Sequence, residues 1–197
     1  MKIYSCNIND FSETEFREHF DAMSAERKES TLRLKIANKQ KSKIAADYLC
    51  RTALSEFCGI EKEQIEFAVS ANGKPVAVNC NVHFNISHSG DCVVCAVSDK
   101  EIGIDIEKIR STNPKAAERF ACPDEIDYIR SNETGFFEIW TLKEAYFKCI
   151  GTGLGADIKN VSFRIDKNGV LCSKKGFDCS FLNIADGYIC SVCEKKN

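Results

Sequence analysis

The sequence predicts an α+β protein built from two similar halves. Asn-Gly turns stand at Asn72-Gly73 and Asn168-Gly169, and Asn-Ile pairs at Asn85-Ile86 and Asn183-Ile184. Each pair of matches is separated by about half of the 197 residues. Each half also opens with a short β-like run (2–6 and 102–106), continues into charged helical sequence, and closes in β-prone runs joined by Asn-Gly-type hairpins. A diverged duplication is the simplest account of this repetition. The expected fold is therefore a pseudodimer, each half a small antiparallel sheet with packed helices and the ligand site at the interface between halves. The halves are 1–100 and 101–197, with a seam near Ser98–Glu101 and no flexible linker.

In chain order, helices are expected over 12–23, 24–34 and 42–57 in the first half. In the second half, Pro114 and Pro123 open helices at a position where proline is tolerated, running to Phe120 and Arg130. A long helix over 136–150 follows. It is apolar nearly all round, as a buried helix is. The strand-like runs are 65–69, 92–97, 161–165 and 188–193. The segment Phe84 to Gly90 (FNISHSG) reads as a loop between β-like runs, crowded with small hydrogen-bond donors.

With 27 basic and 29 acidic side chains the formal charge is −2, so there is no global pull toward nucleic acid or an anionic membrane. The first residues have no apolar signal-peptide core and no run is long enough to span a bilayer, so a cytoplasmic location is expected. Twelve cysteines include two C-x-x-C spacings, Cys92/Cys95 and Cys190/Cys193. Both fall in β-prone runs, where residues i and i+3 point to opposite faces and cannot grip one ion. Reduced cysteines filling core space are expected instead.

Chemistry concentrates in two segments. On a strand, Asp105 and Glu107 project to one face, with Ile104 and Ile106 on the other. Two carboxylates this close suit a divalent cation ligated by oxygen, as Mg²⁺ is, although in isolation a solvated face beside Lys108 and Arg110 is the better account, because charged strand faces are common. The helix over 136–150 shifts the balance, because Lys143, Glu144 and Lys148 interrupt its apolar surface. Glu144 and Lys148 are four residues apart and face the same way. An exposed pair of this kind contributes only about 0.3–0.5 kcal/mol, weak reason to place charge among so many apolar groups. The Phe84–Gly90 segment can bind an anion through its donors, with His88 either adding charge or serving only structure. Lys74 sits at a hairpin mouth. The basic stretch from Arg27 to Lys43 is either a solvated surface or a collector of phosphates.

Taken together, Gly73-Lys74-Pro75, Phe84 to Gly90, Gly103 to Lys108 (GIDIEK) and Trp140 to Lys148 (WTLKEAYFK) resemble the 4′-phosphopantetheinyl transferases. The similarity is to the fused, pseudodimeric type that activates peptide synthetases, and it spans nearly the whole chain. The resemblance implies transfer of the phosphopantetheine arm of coenzyme A to a serine of an apo acyl- or peptidyl-carrier protein, releasing 3′,5′-ADP. It implies that Asp105, Glu107 and Glu144 hold Mg²⁺ against the pyrophosphate. Glu144 is also the implied base for the carrier serine, and Lys148, with Lys143 nearby, neutralises charge on the bridging oxygens. Ser87 and His88 would take the adenosine phosphates, Lys74 the nucleotide end, and Arg27 the 3′-phosphate, with Lys43 as a further contact. Ser30 departs from the family pattern, which carries a second basic residue there. The first half is thus expected to contribute to coenzyme A binding and the second to hold the metal site and catalytic helix, in a monomer.

A Mg²⁺-dependent phosphodiester or pyrophosphate hydrolase would use the same three acids. A non-catalytic coenzyme A-binding protein would bind without needing Glu144, and a zinc-binding interaction module is the most distant alternative.

Overall fold

A computed structural model describes residues 1–70 and 72–196. Strand β1 (Lys2–Asn7) leads into helices α1 (Glu13–Ala22), α2 (Ala25–Leu32) and α3 (Ala37–Cys58). The short hairpin β2 (Phe67–Val69) and β3 (Pro75–Ala77) follows, then β4 (His83–Ser89) and β5 (Cys92–Ser98). The second half repeats this order. It has β6 (Ile102–Lys108), α4 (Pro123–Ser131), α5 (Gly135–Ile150), the hairpin β7 (Phe163–Asp166) and β8 (Gly169–Cys172), then β9 (Phe177–Leu182) and β10 (Tyr188–Lys195). The sheets are ordered β1-β5-β4 and β6-β10-β9, so in each half the first strand pairs with the last and the last with the one before it. All these pairings are antiparallel. This common topology is the structural form of the internal repeat, and the fold is the expected α+β pseudodimer.

Local chemistry sets the helix ends. Ser12 accepts from Glu15 N while Glu15 reaches back to Ser12 N, a capping box that starts α1. Ser24 caps α2. Helix α3 begins five residues earlier than expected, its basic first turns lying over α1, where Lys41 pairs with Glu13 at 2.5 Å. The stretch Pro114–Arg119 is a tighter 3₁₀ turn and not an α-helix. Both α3 and α5 end on a glycine in the left-handed conformation, Gly59 and Gly151.

Three apolar clusters hold these elements. One lies between α3 and the first sheet, a second between α5 and the second sheet, and a third between the halves. Strand β5 is buried along its whole length. Val93, Cys95 and Val97 face α3, while Cys92, Val94 and Ala96 face the seam. Cys92 and Cys95 therefore lie on opposite faces, and so do Cys190 at the seam and Cys193 under α5. All twelve cysteines are free thiols, most of them buried. No helix among the described residues is long and apolar enough to cross a membrane.

Candidate active site

Strand β6 builds the site. Ile102, Ile104 and Ile106 point into the seam core, so Gly103, Asp105 and Glu107 face the other way, as alternation requires. Gly103 has to be glycine, because an added Cβ would lie 2.0 Å from Ala145 O and 2.3 Å from Cys149 N. That close approach lays α5 directly along the acidic face of β6. Thr141 of α5 then shares a 2.7 Å hydrogen bond with Ser191 of β10, the cross-strand neighbour of Asp105.

The segment Phe84 to Gly90, expected to be a loop, is mostly strand β4. It runs beside β6 in the same direction, joined to it by side chains. Asn85 Oδ1 accepts from Ile104 N at 2.9 Å, Ser87 Oγ donates to Asp105 Oδ1 at 2.7 Å, and Ser89 Oγ donates to Glu107 Oε2 at 2.8 Å. Asn85, Ser87 and Ser89 share one face of β4. Their polarity mimics a loop because the edge they satisfy belongs to the other half. The β4–β5 turn needs Gly90 for two reasons, a positive φ of 56° and an added Cβ that would sit 2.7 Å from the Tyr188 hydroxyl.

Asp105 is 5% exposed. Its Oδ1 accepts from Lys148 Nζ at 2.6 Å and from Ser87, and Lys148 also donates to Ser87 Oγ at 3.0 Å. Its Oδ2 is buried with no hydrogen-bond partner among the described residues. Burial raises the Asp105 pKa, opposed by Lys148. Glu144, on the same face of α5 as Lys148, is pushed up to about 7 by burial and then by the Asp105 and Glu107 charges. Glu144 thus feels both acids of β6 across the β6–α5 groove. Among the described residues, no three acidic, histidine or cysteine side chains are yet gathered closely enough to hold a metal. The donor set nevertheless fits a hard divalent cation: a buried Asp105 oxygen has no partner among the described residues, and the Asp105 and Glu107 charges raise the Glu144 pKa. Beside Glu107 opens a pocket of ≈ 400 Å³ lined by Arg110, Phe136, Phe137, Trp140 and Leu154.

Two expected residues do not join the site. Lys143 is fully buried on another side of α5, 2.9 Å from Glu125 and bonded to the carbonyls of Ile158 and Val161. One residue before Glu144 is about 100° round a helix, so it cannot share that face. Lys74 Nζ, expected at the nucleotide end, donates to two backbone carbonyls, Ile102 O at 2.9 Å and Lys148 O at 2.8 Å.

The remaining cations lie on the first half. Arg27 Nε pairs with the buried Asp47, which also holds Arg51 at 2.9 Å. Lys43 donates to Ser30 Oγ at 2.7 Å, and its pKa is lowered by burial and by Arg27. Ser30, where the resemblance implies a basic residue, thus accepts from the Lys43 ammonium. The His88 pKa is lowered by desolvation and then by Lys148, with a smaller contribution from Lys39. Lys39 therefore stands near the groove, although in the sequence it is one of several basic residues with nothing to single it out. Asn85 and Ser89 were also missed as individual residues. The period-2 alternation of Phe84 and Ile86 with polar neighbours was the signal for both.

Two halves of one topology, with acids and a lysine set along their seam, define a pseudodimeric α+β protein. Comparison with known proteins gives the family. Residues 101–193 match the model of the 4′-phosphopantetheinyl transferase superfamily, and residues 10–100 that of the 4′-phosphopantetheinyl transferase N-terminal region. A 4′-phosphopantetheinyl transferase of Aneurinibacillus migulanus is 37% identical over 76% of this chain and 67% of its own length. One of Bacillus subtilis is 34% identical over 86% of this chain and 79% of its own, and one of Bacillus pumilus 32% identical over 86% and 77%. The chain belongs to the 4′-phosphopantetheinyl transferase family.

Proposed function

We propose that this chain transfers the 4′-phosphopantetheine arm of coenzyme A to a serine of an apo acyl- or peptidyl-carrier protein, releasing 3′,5′-ADP, with Mg²⁺ as the metal. The observation that carries this reading is the Asp105–Lys148–Ser87 triangle with Glu144 facing it, formed from both halves. Asp105, Glu107 and Glu144 are the residues to hold the cation. When bound, it supplies charge that offsets the pyrophosphate oxygens.

The reaction forms a bond from the carrier serine Oγ to the β-phosphorus and breaks the bond from that phosphorus to the oxygen it shares with 3′,5′-ADP. Such transfers depend on positioning and on offsetting charge. Lys148, its ammonium at the groove, neutralises the leaving phosphate. Glu144 receives the serine proton directly or through water, and a carboxylate near pH 7 suits that task. Ser87 and His88 orient the adenosine phosphates from the first half, and Arg27 and Lys43 take the 3′-phosphate. The aromatic pocket beside Glu107 is suited to the apolar stretch of the arm.

We assign coenzyme A contributions to 1–100 and the metal and catalytic helix to 101–197. The cytoplasm is the proposed location. The seam core favours a monomer, since each half already covers the other's apolar face.

The test is to incubate the protein with coenzyme A, Mg²⁺ and an apo-carrier, then weigh the carrier by mass spectrometry. A gain of one phosphopantetheine arm, absent when the carrier serine is alanine, supports transfer. Breakdown of coenzyme A at the same rate without carrier would instead indicate a hydrolase.

A further inference from the structure

Lys74 stands where the β2–β3 hairpin of the first half turns back. Ser70 N donates to Lys74 O at 2.9 Å, Lys74 N to Ser70 Oγ at 3.1 Å, and Gly73 N to Ser70 O at 2.9 Å. Gly73 has a φ of 80°, which this tight turn needs. The turn sends the lysine stem across the seam, where Nζ meets Ile102 O and Lys148 O.

Both acceptors belong to the second half, and neither is incidental. Lys148 O lies in the last turn of α5, where carbonyls lack an intrahelical partner and the helix dipole favours a cation. Ile102 O lies at the start of β6, on the strand that carries Asp105. One ammonium therefore fixes the end of the catalytic helix to the catalytic strand. Lys148 is the very residue whose side chain reaches Asp105. Burial lowers the Lys74 pKa, opposed by Cys149 and Glu101 of the second half.

We propose that Lys74 is a positioning residue for the transfer: it clamps the end of α5 to β6 so that Lys148 and Glu144 stand opposite Asp105. The inference rests on the transferase reading and deepens it by giving the first half a part in assembling the second half's chemistry. A lysine that contacts the nucleotide would act through charge, and arginine would largely replace it. A clamp needs a compact ammonium with donors aimed at two carbonyls, which arginine's planar fork does not reproduce.

The experiment compares Lys74→Met and Lys74→Arg with the unaltered protein. It measures coenzyme A affinity and stoichiometry by calorimetry, kcat at saturating coenzyme A and carrier, and the Lys148 ammonium signal by NMR without substrate. The clamp predicts that Lys74→Met binds coenzyme A with unchanged stoichiometry and an affinity within about twofold, while kcat falls about tenfold or more, since small misplacements of reacting groups are costly. Lys74→Arg does not restore kcat, and the Lys148 signal shifts in both variants. A general loss of fold would instead reduce the number of competent sites. The proposal is overturned if Lys74→Met weakens coenzyme A binding and Lys74→Arg restores it, or if neither kcat nor the Lys148 signal changes. Should Lys74→Met fail to fold, Lys74→Arg alone decides, since restored kcat with an unshifted Lys148 signal overturns the clamp. If the unaltered protein transfers nothing, the transferase reading fails while the Lys148 signal still decides the clamp.

Discussion

Lys148 Nζ lies 2.6 Å from Asp105 Oδ1, and Ser87 of the other half bonds to both. The pair joins α5 to β6 at the point where the first half meets them. It leaves Asp105 Oδ2 buried and unpartnered among the described residues, a costly arrangement for a carboxylate that had no further task.

Asp105→Asn removes the charge and keeps the shape. Lys148 retains Ser87 Oγ and Ile104 O as acceptors, so the fold should survive. Transfer should fall by more than about 100-fold, the upper end of what disturbing even the outer shell of a metal site costs. Initial rates at saturating coenzyme A and carrier, together with the circular dichroism spectrum, check both halves of this expectation.

Glu144→Gln should stabilise the metal-free protein at alkaline pH. The folded Glu144 pKa is raised to about 7, above the value of about 4.3 for a free glutamate. Between these values the folded state holds a proton that the unfolded state has lost, so stability falls as pH rises through this window and stays low above it. The group is only partly buried, and solvent screening reduces the effect to roughly 1 kcal/mol. Urea unfolding at pH 5 and pH 8.5 should show the variant gaining on the unaltered protein only at the higher pH. An equal difference at both would contradict the raised pKa.

Gly103→Ala drives a methyl into the backbone of α5, at Ala145 O and Cys149 N. Neither atom can yield as a flexible side chain would, so the cost should meet or exceed the roughly 1–3 kcal/mol typical of overpacking. Gly155→Ala, with nothing within 4 Å of the added carbon, should change stability by less than about 0.5 kcal/mol. Unfolding curves for the two variants side by side test whether the helix is seated as closely as described.

Lys143→Met should cost stability and leave coenzyme A affinity alone. Removing the ammonium strands Glu125 in the core, a loss of about 3–5 kcal/mol for a buried pair broken on one side. Glu125 keeps hydrogen bonds from Phe163 N and Cys122 N, so the lower end is expected. A variant that is still folded yet binds coenzyme A tenfold more weakly would return Lys143 to the site.

Local patterns carried the fold and the second-half acids in readable form. The alternation of Ile104 and Ile106 with Asp105 and Glu107 sets their faces without any knowledge of neighbours, and the i,i+4 spacing does the same for Glu144 and Lys148. What escaped depends on partners far away in the chain. Asn85, Ser87 and Ser89 look like loop residues until β6 is placed beside them. Lys143 looks like a phosphate ligand until Glu125, from a different helix, accounts for its burial. Helical geometry alone would have turned Lys143 away from Glu144, and that angle was the available signal. Arg27 likewise has a partner that the sequence hides, Asp47, inside a run that otherwise reads as apolar helix, and keeps its proposed place at the 3′-phosphate.

Titrating Mg²⁺ into the metal-free protein by calorimetry at pH 7, in two buffers of different ionisation enthalpy, tests most directly whether the three acids meet on one cation. With Glu144 near half-protonated, saturable binding should release about half a proton per ion, and both the release and the binding should be lost in Glu144→Gln and Asp105→Asn. Binding that persists undiminished in Glu144→Gln, or that releases no proton in the unaltered protein, would contradict the account.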